Sequence, residues 1–291
     1  MITGIHHLTG ITRDVQQNYN FYCNILGLRF VKQTINQDDI NSYHLYYANQ
    51  NADPGSALTF FGWDLQKGTI GGGEVKSITL CILKESKEYW INRLTQNSIK
   101  YKEIEGKLEF TDPDGLKIKL SLKNKKEWPD FTNTNIPFAN QICGLNEVEI
   151  TSSHPKSTQK IFELITGKTN QNTVTLDNGQ KIKIETLTTP KIQGAGSMHH
   201  IAFNVNSEQE QLTLMKKLEN NNIPTSGIID RIYFKSLYFQ EPGKNLFEIA
   251  TKNPGYTVDE SFENLGQTLK LPPHLEHIRE KITNNLQPIK K

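Results

Sequence analysis

The chain has 291 residues, room for about two domains of ordinary size. Its 33 basic and 31 acidic residues leave a net charge of +2, with both signs spread along the sequence, which excludes the clustered basic face of a nucleic-acid binder. No apolar run approaches the ~20 residues of a membrane helix, and Met1-Ile2-Thr3-Gly4 lacks the basic and apolar regions of a signal peptide, so a cytoplasmic protein is expected.

In chain order, an apolar strand is expected over Gly4–Ile11, carrying His6 and His7. A helical pattern follows through Tyr19, Tyr22, Leu26 and Phe30, with Gly27 as its C-cap. Then come a strand at Tyr43–Ala48, the turn Asp53-Pro54-Gly55 and a strand at Ala57–Phe61. The order repeats with a strand at Ser77–Leu83 and a helix holding Tyr89, Trp90, Ile91 and Leu94. The turn Asp112-Pro113-Asp114-Gly115 and the strand Leu116–Leu120 close this unit. Lys123 to Ala139, with Lys125, Lys126, Trp128-Pro129 and Pro137, reads as a solvated linker. A third unit has a strand at Ile142–Ile150, a helix with Ile161, Leu164 and Ile165 closed by Gly167, and Asp177-Asn178-Gly179 before Lys181–Ile184. The fourth has Met198–Val205 with His199 and His200, then a helix with Leu212, Leu214, Met215 and Leu218. It ends with a strand at Ile232–Phe239, the turn Glu241-Pro242-Gly243, and Leu246–Ala250. Beyond Thr251 the chain is rich in Pro and Gly, then helical around Leu275–Ile282. That tail is expected to pack on the body or to form a contact in a homo-oligomer.

Self-similarity at a period of 50–60 residues indicates a repeat architecture. A β-α-β-β-β unit cannot bury its sheet face alone, so units must pair. The expected fold is α+β, with four βαβββ modules paired into two curved mixed-sheet cups. The modules span about 3–62, 75–122, 142–188 and 197–252. Residues 1–122 and 140–252 form two halves joined by the linker 123–139, and 253–291 form the tail. In each turn, Pro presets φ and Gly supplies a positive φ.

Two matching first strands carry the histidine pairs, Gly4-Ile5-His6-His7-Leu8-Thr9 and Ser197-Met198-His199-His200-Ile201-Ala202. If modules one and four share a cup, one histidine of each pair meets near a pseudo-twofold axis. Side chains alternate along a strand, so His7 is expected on one face with Ile5 and Thr9, with His6 on the other; the same holds for His200 and His199. Glu248, inside the apolar Leu246-Phe247-Glu248-Ile249-Ala250, is costly to bury unless something neutralises it. A turn centred on Gly243 puts Tyr238 opposite Glu248 on the same face. Two imidazoles and one carboxylate with open positions make the facial triad of non-haem Fe(II) oxygenases. The three cysteines, Cys23, Cys81 and Cys143, read as reduced, buried small residues.

The βαβββ repeats, the Asp-Pro-Asp-Gly turn and the His-His-Leu-Thr opening resemble the vicinal oxygen chelate superfamily. Phe30-Val31-Lys32-Gln33-Thr34, Tyr43-His44-Leu45-Tyr46-Tyr47 and Leu58-Thr59-Phe60-Phe61 are similar to its hydroquinone ring-cleaving dioxygenases. The resemblance implies His7, His200 and Glu248 as metal ligands. It also implies a surrounding set of His6, Thr9, His199, Arg231 and Tyr238. In that set Tyr238, His199 and Arg231 act in catalysis, and Thr9 and His6 meet the substrate. Strand alternation supports Thr9 and Tyr238 in the cup, opposes His6 and His199 unless the strand bulges, and requires a bend to bring Arg231 in.

Module three opens with Gly144-Leu145-Asn146-Glu147 and has no histidine there. Glu185 lies one residue out of register with Glu248, so a second metal site is not expected. The implied activity is Fe(II)-dependent cleavage of a hydroquinone or catechol by O₂, with Mn(II), Zn(II) or Ni(II) as other candidate metals. The alternatives are a glyoxalase-like isomerase, which the resemblance implies would need a second Glu that Leu58–Phe61 lacks, and a metal-free protein that binds quinones or drugs.

Overall fold

The protein is described by a computed structural model covering residues 2–168 and 171–291. Module one consists of β1 (Gly4–Thr12), α1 (Val15–Tyr19, continuing in π form over Asn20–Ile25), β2 (Arg29–Asn36), β3 (Asp39–Ala48) and β4 (Ala57–Gly62). Module two has β5 (Val75–Leu83), α2 (Lys87–Gln96), β6 (Lys102–Ile104), β7 (Lys107–Thr111) and β8 (Lys117–Lys123). Module three has β9 (Gly144–Ser152), α3 (Pro155–Thr166), β10 (Thr173–Thr175) and β11 (Lys181–Thr186), so its described residues hold three strands. Module four has β12 (Met198–Val205), α4 (Glu208–Glu219), β13 (Ile228–Asp230), β14 (Phe234–Gln240) and β15 (Leu246–Pro254).

Local chemistry places the helix ends. Asp14 accepts hydrogen bonds from the Gln16 and Gln17 amides at the start of α1, and Ser207 accepts one from Glu210 at the start of α4. Gly27 and Gly167 follow α1 and α3 at φ 73° and 72°. Three sequence expectations shift. Phe30 belongs to β2 rather than to the helix, because the chain turns at Gly27. The strand expected from Ile232 begins at Phe234, because Ile232 sits at φ 75°. In the fourth turn the positive φ falls on Lys244 rather than on Gly243. Gly243 is needed for closeness, since a Cβ there would lie 2.1 Å from Ser152 Oγ.

Each sheet draws one module from either side of residues 123–139. The eight-stranded sheet runs β13-β14-β15-β12-β1-β4-β3-β2 and joins modules four and one. The seven-stranded sheet runs β10-β11-β9-β5-β8-β7-β6 and joins modules three and two. In both, the first strands of two modules meet antiparallel at the centre. The main core fills the space between the sheets and their helices, with Ile5, Leu8, Trp90, Phe162, Ile201 and Phe203 fully enclosed. A second apolar cluster lies on the concave side of the larger sheet, around Tyr46, Ala202, Phe234, Ala250 and Tyr256.

The tail covers part of that concave side. It continues through a 3-10 turn at Pro273–Ile278 into α5 (Arg279–Asn285). Gln33 bridges to Leu269, and the Thr34 hydroxyl donates to the Lys270 carbonyl. Lys32, wholly buried in β2, is held by Asp259 at 2.6 Å and Glu260 at 2.5 Å. Its ammonium also lies 4.9 Å from the centre of the Tyr233 ring. Removing one partner of a buried ion pair leaves the other charge without compensation. Lys32→Ala is therefore expected to lower the unfolding free energy by about 3–5 kcal/mol in urea titration. A loss below about 1 kcal/mol would show that the tail is not anchored by this cation.

Candidate metal centre

The centre of the larger sheet contains two β-bulges. Along β1 and β12, Ile5 pairs with Phe203 and His7 with Ala202, leaving His6 as the extra residue. Thr9 pairs with His200 and Gly10 with Met198, leaving His199 extra. A bulge lets consecutive side chains lean to one side and changes the parity beyond it. Ile5 therefore joins Leu8 in the main core, and the expected face shared by Ile5, His7 and Thr9 is corrected. His6 reaches the cup side as well, packing 4.9 Å from the Phe234 ring. His199 likewise lies beside His200, with ring centres 5.1 Å apart. The expected alternation fails at both pairs for this single reason.

His7, His200 and Glu248 converge, all three buried. His7 Nε2 lies 3.2 Å from His200 Nε2. Glu248 Oε2 lies 3.4 Å from the first and 3.0 Å from the second. Donors bound to one ion at ~2.1 Å and at right angles would stand about 3.0 Å apart. Glu248 Oε2 is enclosed without a well-formed hydrogen bond. Three lone-pair donors facing inward around such an atom fit a cation. Among the described residues this is the cluster of His, Cys, Asp or Glu side chains able to hold one. Burial by itself would raise the Glu248 carboxyl, but the two imidazoles overcome it and hold the group well below the usual carboxylate range.

A second layer orients these donors. His6 Nδ1 lies 2.9 Å from His7 Nδ1, and His199 Nδ1 lies 2.8 Å from His200 Nδ1. Burial pushes His6 and His199 down to about 3, so both are neutral and can accept. A proton on Nδ1 of His7 and His200 then leaves their Nε2 lone pairs for a metal. Ser236 donates its hydroxyl to Glu248 Oε1 at 2.5 Å. Thr9 Oγ1 lies 2.8 Å from His200 Nε2.

Tyr238 stands opposite Glu248 across β14 and β15, its ring centre 5.6 Å from that of His200. Arg231 lies in the β13–β14 loop, the bend that its parity requires. Its guanidinium sits 5.4 Å over the Tyr238 ring and makes two contacts to Asp38, at 3.2 and 2.9 Å. All eight site residues expected from the sequence thus lie at or beside the convergence. Sequence reasoning passed over His44, Tyr46, Thr59 and Ser236. They come into view only through the strand registers, which put Tyr46 where Tyr238 stands and His44 where Ser236 stands.

The second cup repeats the pattern with other chemistry. Bulges at Lys76 and Asn146 match those at His6 and His199. Ser77 and Glu147 then take the places of His7 and His200, and Lys183 takes the place of Glu248. The Lys183 ammonium lies 3.2 Å from Glu147. Glu185 is two residues out of register with Glu248, not one, and pairs with Lys76. A larger cleft of about 740 Å³ lies between α1, the linker and the tail, but it is away from the histidines and its lining contains no such cluster.

A two-cup βαβββ protein with two histidines and a carboxylate converging at the joint between modules defines a class, and sequence comparison identifies it. The profile of the Glyoxalase/Bleomycin resistance protein/Dioxygenase superfamily matches residues 4–120 and 136–249, and the chain belongs to that superfamily. It is 36% identical over 301 residues to a Bacillus subtilis protein named "Putative ring-cleaving dioxygenase MhqE", covering 97% of this chain and 98% of that one. It is 25% identical to the chlorohydroquinone/hydroquinone 1,2-dioxygenase of Sphingobium indicum, covering 98% and 96%. The crystal structure of a Bacillus subtilis protein titled "putative dioxygenase" superposes with TM-score 0.92 at 34% identity, over 99% and 98% of the chains. Glyoxalase I from Zea mays shares the fold, with TM-score 0.62 at 12% identity and coverage of 88% and 93%.

Two outcomes are expected at this centre. A divalent metal at a hundred times its Kd should stabilise the fold by about 2.7 kcal/mol in thermal or urea unfolding, and Glu248→Ala should abolish that gain. Ser236→Ala should weaken metal binding by about 10- to 100-fold in chelator competition, since it frees the carboxylate that Ser236 holds. Unchanged affinity would mean that Glu248 is positioned by packing alone.

Proposed function

We propose that the protein is a ring-cleaving dioxygenase for hydroquinone-type aromatics, using a divalent metal held by His7, His200 and Glu248. The observation that carries this reading is the inward-facing triad, with Glu248 Oε2 enclosed among imidazole nitrogens. The names of the relatives support the same chemistry. Three protein ligands leave coordination positions for a ring hydroxyl and for O₂, which suits Fe(II) first and Mn(II), Zn(II) or Ni(II) next.

When bound, the metal supplies a Lewis acid that makes a phenol more acidic and a redox partner for dioxygen. The chain's own residues do the rest. Phe61, Phe234 and Tyr46 wall the space above the triad and suit a flat ring. Burial, and then the Glu248 charge, keep the Tyr238 hydroxyl protonated far above neutrality, so it serves as a hydrogen-bond donor to an oxygen bound beside it. Arg231 adds a fixed positive charge at the same edge. The space enclosed there is about 30 Å³. An engineered cavity that holds benzene has ~150 Å³, so the lining side chains must move to admit a ring.

The glyoxalase-like alternative is less well supported, because Thr59 occupies the place in module one that Glu248 holds in module four. The metal-free binding protein would have no use for three converging donors.

The test is oxygen consumption by protein loaded anaerobically with Fe(II), offered methylhydroquinone and catechol in parallel. Uptake with methylhydroquinone above that with catechol, falling to background in His200→Ala, is expected. Binding of one metal per chain without uptake for either ring would shift the reading to an isomerase or a binding protein.

A further inference from the structure

The flank of the cup opposite Glu248 contains a second cluster, in which His44 and Thr59 have no role so far. Parallel pairing aligns Thr9 with Thr59 on β4, as it aligns Ala202 with Glu248 on β15. Antiparallel pairing then aligns Tyr46 with Thr59 as Tyr238 with Glu248, and His44 with Phe61 as Ser236 with Ala250. Module one thus places a neutral hydroxyl where module four places its carboxylate. Beside that hydroxyl it places an imidazole where module four has a serine.

These groups are joined. Tyr46 Oη lies 2.9 Å from His44 Nδ1, and His44 Nε2 lies 2.8 Å from Thr59 Oγ1. Thr59 Oγ1 lies 2.8 Å from Thr9 Oγ1, which in turn lies 2.8 Å from His200 Nε2. A bound cation would take the His200 Nε2 lone pair, so this chain would then end at Thr9 on the flank of the ion. His44 also lines the same space as His7, His200 and Tyr238. His44 thus faces that space directly, with the Thr59 hydroxyl wholly buried beside its Nε2.

We infer that His44 is a catalytic base that accepts the proton of an aromatic hydroxyl bound in the cup, with the Thr59 hydroxyl as relay and Tyr46 fixing the ring. This rests on the reading of the cup as a hydroquinone site. The step balances. The substrate O–H bond breaks and its proton passes to Thr59 Oγ1, whose own proton passes to His44 Nε2. An aromatic oxyanion and an imidazolium remain, with no electron transferred. The imidazole must begin with its proton on Nδ1, donating to Tyr46 Oη, so that Nε2 can accept. Burial, followed by the charges His7 and His200 can carry, holds His44 well below its ordinary value and keeps it neutral before the ring arrives. The ionisable groups around it are Tyr46 on its own strand, His7, His200, Glu248 and the Arg231–Asp38 pair. The oxyanion adds a negative charge beside it, which favours the imidazolium.

The readout is proton release rather than turnover. Protein loaded with redox-inert Zn(II) is titrated with nitrohydroquinone under nitrogen, by calorimetry in buffers of different ionisation enthalpy. The pH is kept below the ligand's own first pKa. Wild type should release close to no protons per ring bound, because His44 retains the one displaced. His44→Gln should release about one, whereas Thr59→Val, which removes the relay and leaves the acceptor, should release as few as the wild type. The affinity of His44→Gln should also fall about tenfold per pH unit of acidification, while that of the wild type stays flat. A purely structural role would change affinity without changing the proton count. Equal release by wild type and His44→Gln overturns the role of His44 alone. No binding of nitrohydroquinone to the wild type overturns both this step and the hydroquinone reading on which it rests.

Discussion

Antiparallel pairing of β1 with β12 brings two histidine pairs, distant in sequence, to one line at the middle of the larger sheet. The two bulges at His6 and His199 then decide which way those side chains point. Without the bulges, His7 would share a face with Ile5, and either the core would lose an isoleucine or the cup would lose a ligand. With them, Ile5 and Leu8 fill the core while His6, His7 and Thr9 all serve the concave side. Each inward-facing imidazole thereby gains a neighbour to hold its tautomer. The same bulges recur at Lys76 and Asn146 in the other sheet, so they belong to the fold rather than to the chemistry. What distinguishes the two cups is the residue set on a common frame.

That common frame explains how one cup gathers three inward-facing donors and the other an ion pair. In the larger sheet the equivalent positions hold His7, His200 and Glu248, three donors with lone pairs facing inward. In the smaller sheet they hold Ser77, Glu147 and Lys183, where an ammonium already neutralises the carboxylate. A lysine at the place of Glu248 supplies from within the positive charge that a metal would otherwise bring. The asymmetry inside the larger cup follows the same logic. Module four contributes carboxylate and serine, and module one contributes threonine and imidazole. One flank therefore suits a cation and the other suits a proton.

The tail completes the site by enclosing it. Tyr256 reaches the apolar cluster behind Tyr46 and Tyr233, and Asp259 and Glu260 clasp Lys32 under β2. Excluding water on that side lowers the local dielectric around Glu248 and strengthens each interaction there. The two tail carboxylates also explain why a wholly buried lysine is tolerated in β2, since they compensate its charge.

Much of this was legible along the chain because local signals coincide with local structure. Turn residues, helix caps and strand periodicity depend on neighbours a few positions away, so the repeating elements and the α+β class could be read directly. The triad could be read because repetition stood in for tertiary information: matching His-His pairs imply matching places. The facing of His6 and His199, the register of Glu185 and the placement of His44 and Thr59 could not be read that way. They depend on bulges and on cross-strand alignments between segments about 190 residues apart or in neighbouring strands. A one-residue slip in such a pairing turns every side chain to the other face. Alternation along a single strand carries no record of that slip, so only the assembled sheet could decide it.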